Sequence, residues 1–365
     1  MSHDNSAAYQ LDPHASAPPV LRKLYKDSKS LPTADVDGNP HVLDLHALSP
    51  GKDLPEKVRL IDSVEAEKYA SIFENFVNSA RGANEERWKC DTAETAPIYE
   101  HQDVPGLYIY PSFLPPQVQR ELLSRLIHRD LVVKEHKTNL HMHYLMSYPE
   151  NESSFFADDP ARKLQPKDSS VHHPLSVEQM LKKKLRWVTL GGQYDWTEKV
   201  YPGSPPPAFP EDVAALVHDL FPSIKAEAAI VNFYSPGDVL SVHRDVSEEC
   251  DVPLVSISIG NDALFLVGHE NADGGEIIRL RSGDAVCMSG PSRFAWHAVP
   301  KILPGTCPEW LRDWPGDDSS HPEYEKWKGW MAGKRINLNV RQMGLPWKKE
   351  IDDQSRTTSE QTTIS

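Results

Sequence analysis

Eight short segments with the pattern of β-strands follow one another in the C-terminal half of the chain. Glycine, aspartate and serine residues separate most of them, as expected for strands joined by tight turns. Eight such strands suit a double-stranded β-helix, or jelly roll, built from two facing sheets. Because helical patterns precede them, we predict an α+β fold that is mainly β. The segments are residues 229–234, 239–245, 254–260, 263–268, 276–281, 285–289, 296–302 and 335–342.

The N-terminal half combines helical patterns with long irregular stretches. Apolar residues recur at helical spacing in residues 63–81, 115–131 and 211–221, and we expect N-terminal helices there. Residues 1–60 are polar and weakly patterned, which predicts an extended or partly disordered arm. We expect residues 140–183 to form an irregular region.

The segment from Asn232 to Asp245 carries side chains suited to metal binding. His243 and Asp245 are two positions apart, so on a β-strand both side chains leave the same face. Asn232 and Tyr234 have the same relation and can point into the same cavity. Two histidines and one carboxylate form the facial triad of non-haem Fe(II) sites, which leaves open positions for a co-substrate and oxygen.

The third metal ligand should be a histidine farther along the chain. His269 lies in a turn-rich loop, whereas His297 lies among aromatic and β-branched residues typical of a strand, and we therefore choose His297. A second His-Arg-Asp sequence, at residues 128–130, closes an apolar helical pattern. We interpret that copy as a solvated helix end.

The segment from Arg335 to Gln342 alternates strictly between polar and apolar residues, which is the pattern of a half-buried strand. Its polar face carries two arginines and two asparagines. Such a face could be solvated, but a pair of arginines is also what bidentate recognition of a dicarboxylate requires.

Three separated motifs together resemble the AlkB-type Fe(II)/2-oxoglutarate dioxygenases. They are N-x-Y-x-x-G-x-x-L-x-x-H-x-D from Asn232 to Asp245, SRFAWHAVP at 292–300, and R-x-N-x-x-x-R from Arg335 to Arg341. Residues 185–191, 247–248 and 288–293 extend the similarity to the eukaryotic AlkB homologue 1 branch. The resemblance covers roughly residues 105–345 and implies a jelly-roll core with a nucleotide-recognition lid.

The resemblance also implies a role for each matching residue. Iron would be held by His243, Asp245 and His297. The co-substrate 2-oxoglutarate would be held by Asn232, Tyr234, Arg335, Asn337 and Arg341, and Ser256 would line its pocket. Asn339 stands where many relatives have threonine, which puts the fine geometry there in doubt and not the activity.

The implied reaction is oxidative removal of a methyl group from a nucleobase nitrogen in DNA or tRNA, with Fe(II), 2-oxoglutarate and O₂, and with release of formaldehyde, succinate and CO₂. Chemistry on a base requires taking it out of the stack. The resemblance makes Trp187 the first stacking candidate and Tyr194 the second, although aromatic residues there could also be core packing. The basic run 182–186 could be a solvated helix end or could contact phosphate.

Three other functions remain open on the sequence alone. The same centre could hydroxylate or demethylate a protein, because fold and cofactor do not determine the substrate. The chain could be an iron-independent lyase acting on abasic DNA. It could also be a binding module without activity, although all three expected iron ligands are present.

Composition narrows the choice of compartment and partners. The formal net charge of −14 argues against broad, non-specific coating of nucleic acid. Four cysteines in no metal or redox spacing favour a reducing compartment. We find neither an apolar run long enough to span a membrane nor the pattern of a signal peptide, and we expect the nucleus or cytoplasm, with weaker support for mitochondria.

The sequence therefore predicts a monomer that acts on methylated DNA or tRNA. It also predicts a chain divided into four parts. The parts are the arm at 1–60, a helical N-terminal extension at 61–104, the AlkB-like domain at 105–347 with its jelly roll from about residue 228, and a disordered tail at 348–365. Protein partners are not indicated by any motif. The proline- and tryptophan-rich residues 303–330 predict a long insertion, which is either a lid or a decoration of the family.

Overall fold

The computed structural model describes residues 11–47, 54–64, 66–82, 85–91, 96–195, 201, 205–248, 250–270 and 274–344. Its helices are α1 (Pro19–Ser30), α2 (Ala66–Ser79), α3 (Pro116–Ser124), α4 (Val177–Gln179) and α5 (Glu211–Leu220). Its strands are β1 (Val58–Val64), β2 (Ala96–His101), β3 (Leu107–Tyr110), β4 (Tyr144–Leu145), β5 (Lys163–Pro166), β6 (Leu175–Ser176), β7 (Trp187–Gly191), β8 (Ala228–Tyr234), β9 (Leu240–His243), β10 (Leu254–Gly260), β11 (Ala263–Gly268), β12 (Glu276–Leu280), β13 (Ala285–Met288), β14 (Trp296–Ile302) and β15 (Arg335–Arg341). Among the described ranges, no helix has the length and apolar character needed to cross a bilayer.

Two antiparallel sheets form the centre of the molecule. The large sheet has eight strands in the order β1-β2-β3-β13-β10-β15-β8-β7, and the small sheet has four in the order β12-β11-β14-β9. All eight predicted β-segments are strands, β8 to β15, and they divide equally between the two sheets. Antiparallel sheets with helices confirm the predicted α+β class.

The alternation of side chains along the strands creates three apolar layers. One face of the large sheet packs against α2, α3 and α5, with Leu122 and Val213 fully buried beside Ile257. Between the two sheets lies a smaller core that includes Leu254 and Val267.

The N-terminal segment forms the third layer, contrary to the predicted extended arm. Helix α1 packs on the outer face of the small sheet, where Leu21 is fully buried against Leu264 and Leu266. Asp37 and Asp44 pair with the buried Arg279 of β12. The prediction failed because Leu21, Leu24 and Tyr25 form a short apolar stripe within a segment that is otherwise polar, and only packing on the small sheet makes that stripe part of the fold.

The first His-Arg-Asp copy does end a helix, but it is not solvated as predicted. Helix α3 continues through a π-helical turn, Arg125–Arg129, and the side chain of Asp130 is buried against Arg129. The His128 ring stacks on Tyr324 at 4.5 Å, and its Nδ1 lies 2.7 Å from Ser154 Oγ. Burial lowers the pKa of His128 to about 3. Long-range packing from the insertion covers this helix end, and no local pattern reveals that.

Residues expected to be irregular contain a third small sheet. Strands β4, β5 and β6 pair in that order within residues 144–176. The tryptophan-rich insertion packs on this region, since Trp327 Nε1 donates to the Phe156 carbonyl at 2.7 Å and Trp330 Nε1 to the Leu181 carbonyl at 3.1 Å. Among the described residues, the insertion is therefore a buried support for residues 155–181.

Candidate active site

Two histidines and one aspartate meet at the ends of β9 and β14. His243 and His297 are directly opposite each other in the strand pair, and their ring centroids are 4.3 Å apart. The Asp245 carboxylate lies 3.7 Å from His243 Nε2 and 3.9 Å from His297 Nε2. One donor atom from each residue lies within 4.8 Å of the others, which is a spacing that a single metal ion can bridge.

Backbone carbonyls set the orientation of both imidazoles. His243 Nδ1 donates to the Ser241 carbonyl at 2.9 Å, and His297 Nδ1 donates to the Ala295 carbonyl at 3.1 Å. A carbonyl can only accept, so the proton of each neutral ring is on Nδ1 and the lone pair is on Nε2. This is the arrangement by which proteins prepare histidine as a metal ligand.

The charges around Asp245 keep it ionised. Burial opposes ionisation, but the Arg341 guanidinium and the two imidazoles outweigh that effect and hold the pKa of the Asp245 carboxyl well below its usual range. Arg341 Nη2 donates to Asp245 Oδ2 at 2.6 Å. Burial, together with His243, lowers the pKa of His297 to about 4. Near neutral pH Asp245 is thus a carboxylate and His297 a neutral imidazole, the forms that bind divalent metals.

Arg335 supplies a buried cationic group whose hydrogen-bonding capacity is only partly used within the described structure. It lies opposite Tyr234 in the β15–β8 pair, and its guanidinium is 5.7 Å from the centre of the Tyr234 ring. Nη2 donates to Ser258 Oγ at 2.8 Å, while Nε and Nη1 are buried without a hydrogen-bond partner among the described residues. Since an unpaired buried cation is costly, this geometry fits a carboxylate that binds as a ligand.

The polar face of β15 continues from Arg335 toward the metal triad. Asn337 lies opposite Asn232, and its Nδ2 donates to Ser256 Oγ at 2.7 Å. Asn339 lies between Ser256 and Ile230, and its Oδ1 has no partner in the described structure. A dicarboxylate with one end at Arg335 and the other near the triad fits these donors.

Some of the predicted site residues line a cavity of about 350 Å³, and the others lie beside it. The cavity is lined by Tyr194, Asn232, His243, Asp245, Asn339 and Arg341, together with Tyr201, Ser247 and Glu248. The other predicted co-substrate residues do not line it and lie on adjoining positions of the sheet. The alternative ligand His269 does not join the triad, whereas His297 does.

The two predicted stacking residues occupy different positions. Tyr194 lines the cavity, with its hydroxyl 3.3 Å from Ser247 Oγ and its ring centroid 5.3 Å from that of Tyr201. Trp187 is half-buried at the edge of the large sheet and does not line the cavity. It lies opposite Asn232 in the β7–β8 pair, so both side chains leave the same face of the sheet.

A buried charge network behind the triad was not predicted. The Arg293 side chain is 1% exposed and donates to the Asp245 carbonyl at 2.9 Å and to Glu248 Oε2 at 3.0 Å. The other oxygen of Glu248 lies 3.2 Å from Arg341 Nε. Glu248 thereby connects the two arginines that hold the backbone and the carboxylate of Asp245.

The sequence signal for this network is weak. Glu248 and Arg293 both lie within the stretches that carry the resemblance, but neither has a periodic pattern that separates it from a surface charge. Tyr201, whose hydroxyl donates to Glu248 Oε1 at 3.4 Å, lies in a proline-rich stretch with no motif.

Comparison with known proteins agrees with this geometry. Residues 106–341 match the family model of the 2OG-Fe(II) oxygenase superfamily. The N6-methyladenosine RNA demethylase ALKB1 of Pyricularia oryzae is 51% identical over 281 residues, which are 69% of this chain and 78% of the relative. The tRNA demethylase abh1 of Schizosaccharomyces pombe is 41% identical over 67% of this chain and 82% of its own length.

One more distant relative covers a larger share of the chain. The nucleic acid dioxygenase ALKBH1 of Mus musculus is 29% identical over 92% of this chain and 86% of its own length. Among solved structures, OsALKBH1 matches 65% of this chain and 97% of its own, with 23% identity and a TM-score of 0.43. The chain therefore belongs to the 2OG-Fe(II) oxygenase superfamily, in its AlkB homologue 1 branch, and works with Fe(II), 2-oxoglutarate and O₂.

Proposed function

We propose that this enzyme oxidatively demethylates N-methylated nucleobases in RNA, including tRNA, or in DNA, and releases formaldehyde, succinate and CO₂. The observation that carries the proposal is the pairing of the His243–Asp245–His297 triad with the buried guanidinium of Arg335, two of whose nitrogens have no hydrogen-bond partner among the described residues. The first requires a metal and the second a carboxylate. The names of the most similar relatives, which describe RNA and tRNA demethylases, favour RNA as the substrate.

Each residue of the site has a proposed part in the reaction. His243, Asp245 and His297 hold Fe(II), which supplies the oxidising chemistry when 2-oxoglutarate and O₂ are bound. Arg335 and Tyr234 bind the distal carboxylate of 2-oxoglutarate. The remaining donors, Asn232, Asn337, Ser256 and Arg341, orient the co-substrate toward the metal. No side-chain base is needed to break the C–H bond of the methyl group.

The strand arrangement supports a double-stranded β-helix. Of the eight strands after residue 228, β8, β10, β13 and β15 lie in the large sheet, and β9, β11, β12 and β14 lie in the small sheet. Consecutive strands mostly alternate between sheets, as in a jelly roll. We propose that residues 105–347 form this catalytic domain as a monomer, in the nucleus or cytoplasm, with a nucleotide-recognition lid near Trp187 and Tyr194.

The substrate side of the site favours a planar group. Tyr194 and Tyr201 form an aromatic wall of the cavity, and His243 and Asp245 lie in the same cavity. A base that is flipped out of its stack would lie against these rings, with its methyl group directed at the metal. A protein substrate would not need two tyrosines at this position.

The test measures succinate and formaldehyde from the iron-loaded enzyme with 2-oxoglutarate. Its substrates are RNA, tRNA-loop and DNA oligonucleotides that carry N6-methyladenine, 1-methyladenine or 3-methylcytosine, and Asp245→Ala is the control. We expect one substrate to raise both products with the wild type and neither with the variant. Succinate without formaldehyde on every oligonucleotide would favour a protein hydroxylase. Strand cleavage that persists in a chelator would favour a lyase.

A further inference from the structure

A basic surface lies next to Trp187 on an otherwise acidic molecule. It consists of Lys182, Lys183, Lys184 and Arg186, which are all exposed, and of Lys137 on the adjoining segment. We propose that this basic surface binds the phosphates of a single-stranded nucleic acid on either side of the base that enters the cavity. The proposal rests on the proposed function and names how its substrate is held.

The backbone of the basic surface is fixed by side chains from elsewhere in the fold. The Asn139 side chain donates to the Lys184 carbonyl at 2.8 Å and accepts from the Arg186 amide at 2.8 Å. From the other side, Lys334 Nζ donates to the Lys182 carbonyl at 2.7 Å. A run of lysines that serves only solubility needs no such support. A rigid run loses less conformational entropy when it binds a ligand.

Ion pairs within the protein neutralise only part of the surface. Lys182 pairs with Glu178 at 2.6 Å, and Arg186 pairs with Asp238. Within the described parts of the chain, Lys183 and Lys184 form no ion pair, and Lys137 Nζ contacts only the Lys134 carbonyl, at 3.2 Å. Three ammonium groups thus remain available for phosphate.

The net charge of the chain makes such a surface necessary. At −14 overall, the molecule repels a polyanion at long range, and binding requires local groups of opposite sign. Neutralisation of phosphates by lysine and arginine provides most of the affinity for nucleic acid that is independent of sequence.

The basic surface also adjoins the cavity, because Arg186 pairs with Asp238, which directly precedes the cavity-lining residues Val239 and Leu240. Lys184 precedes Trp187 by three residues, which corresponds to about 10 Å of extended chain. Thr138 bridges to Val188 of β7, and this contact brings Lys137 beside the same edge. A single strand is favoured over a duplex, because an unpaired base can leave its stack at little cost.

The test measures oligonucleotide binding by fluorescence anisotropy over a series of salt concentrations. The full-length protein carries 2-oxoglutarate and Mn(II) in place of Fe(II), so that no turnover occurs. The test variant is Lys183→Gln/Lys184→Gln. The control is Lys29→Gln/Lys68→Gln, which removes two equally exposed lysines from α1 and α2. The probes are single-stranded RNA and DNA of one sequence, each with and without the methylated base.

We expect the slope of log K against log salt to decrease by about 1.4 for the test variant, since each contact to a single strand contributes roughly 0.7. Affinity should fall roughly tenfold near 0.1 M salt, while 2-oxoglutarate binding and the control stay unchanged. Comparison of the RNA and DNA probes then identifies the polymer. An unchanged slope, or a wild type that binds no probe, would overturn the proposal. If the wild type binds with this slope and the separate assay of the iron-loaded enzyme yields no formaldehyde on any oligonucleotide, the proposed function is refuted while the basic surface stands.

Discussion

At the scale of single residues, strand periodicity explains why most of the site could be predicted. His243 ends β9 and Asp245 follows it two positions later, while the polar residues of β15 share one face, so spacing marks them as candidates and the resemblance of the three motifs assigns their roles. The geometry adds what spacing cannot supply. It distinguishes His297 from His269, and it shows that Arg335 has two buried nitrogens without partners among the described residues.

Arg335→Lys tests the co-substrate site. Lysine keeps the charge but loses the planar fork that binds a carboxylate with two hydrogen bonds. We expect the KM for 2-oxoglutarate to rise roughly 10- to 100-fold, equivalent to about 1.5–3 kcal/mol for hydrogen bonds to a charged group. Arg281→Lys, which affects a partly exposed pair with Asp44, is the matched control. An unchanged KM for 2-oxoglutarate in Arg335→Lys would show that the carboxylate binds elsewhere.

Glu248→Gln tests the charge network behind the triad. The substitution keeps the shape of the side chain but leaves Arg293 and Arg341 without their shared counter-charge. We expect Fe(II) affinity to fall roughly tenfold or more, as for other groups that position metal ligands. Titration of Fe(II) into the anaerobic protein measures this. Glu270→Gln, which removes the charge of an exposed carboxylate paired with Arg244, should leave the affinity unchanged.

This network was not predicted because its charged residues are buried by contacts between segments that are far apart in the sequence. Arg293 and Glu248 are 45 residues apart and contact each other only in the folded chain. Charged residues in a sequence are normally interpreted as exposed, because isolated charges are rarely buried. The two positions can be recognised as part of the site only from their contact with each other. The sequence does not reveal that contact.

At the scale of elements, long, regular patterns were predicted well and short ones were not. All eight β-segments and helices α2, α3 and α5 are where the periodicity indicates. Helix α1 and the strands β1, β2, β4, β5, β6 and β7 were missed, since elements of this kind depend on packing against the rest of the fold. Strands β1 and β2 flank α2, so the extension at 61–104 is not purely helical as predicted. The end of helix α3 is buried for the same reason.

Leu21→Ala tests whether α1 is an integral part of the fold. Leu21 is fully buried against the outer face of the small sheet. We expect the free energy of unfolding to decrease by about 2–5 kcal/mol, the usual cost of such a truncation in a core. Val20→Ala, at an exposed position of the same helix, should change it by less than about 0.5 kcal/mol. Equal effects in urea denaturation would mean that α1 is only loosely attached.

His128 should make the stability depend on pH. Its pKa in the folded protein, about 3, is below its ordinary value of 6.5, and burial is the main cause. Between those values the unfolded chain binds a proton that the folded chain does not, so stability falls as pH falls from about 6.5. The contribution between pH 7 and 5 is about 2 kcal/mol.

His128→Phe removes this titrating group and keeps an aromatic ring beside Tyr324. We expect the loss of stability between pH 7 and 5 to be smaller in the variant by that amount, as measured by urea denaturation at both pH values. Identical losses in the two proteins would show that His128 is protonated within the folded structure.

At the scale of the whole molecule, the protein is acidic on average, whereas binding of nucleic acid requires a basic surface. The net charge of −14 predicted weak non-specific binding of nucleic acid, while the basic surface beside Trp187 provides a local exception. The insertion at 303–330 packs beneath the same region, through Trp330 and the Leu181 carbonyl. Composition gives the net charge of the molecule, and the fold determines where groups of the opposite charge come together.

The most direct test of the account compares wild type, His297→Ala and His269→Ala with a methylated RNA oligonucleotide, Fe(II) and 2-oxoglutarate. Formaldehyde and succinate are both quantified. We predict equal amounts of the two products from the wild type and from His269→Ala, and neither product from His297→Ala. Formaldehyde from His297→Ala, or its absence with the wild type, would contradict the assignment of this triad as the iron site of a nucleobase demethylase.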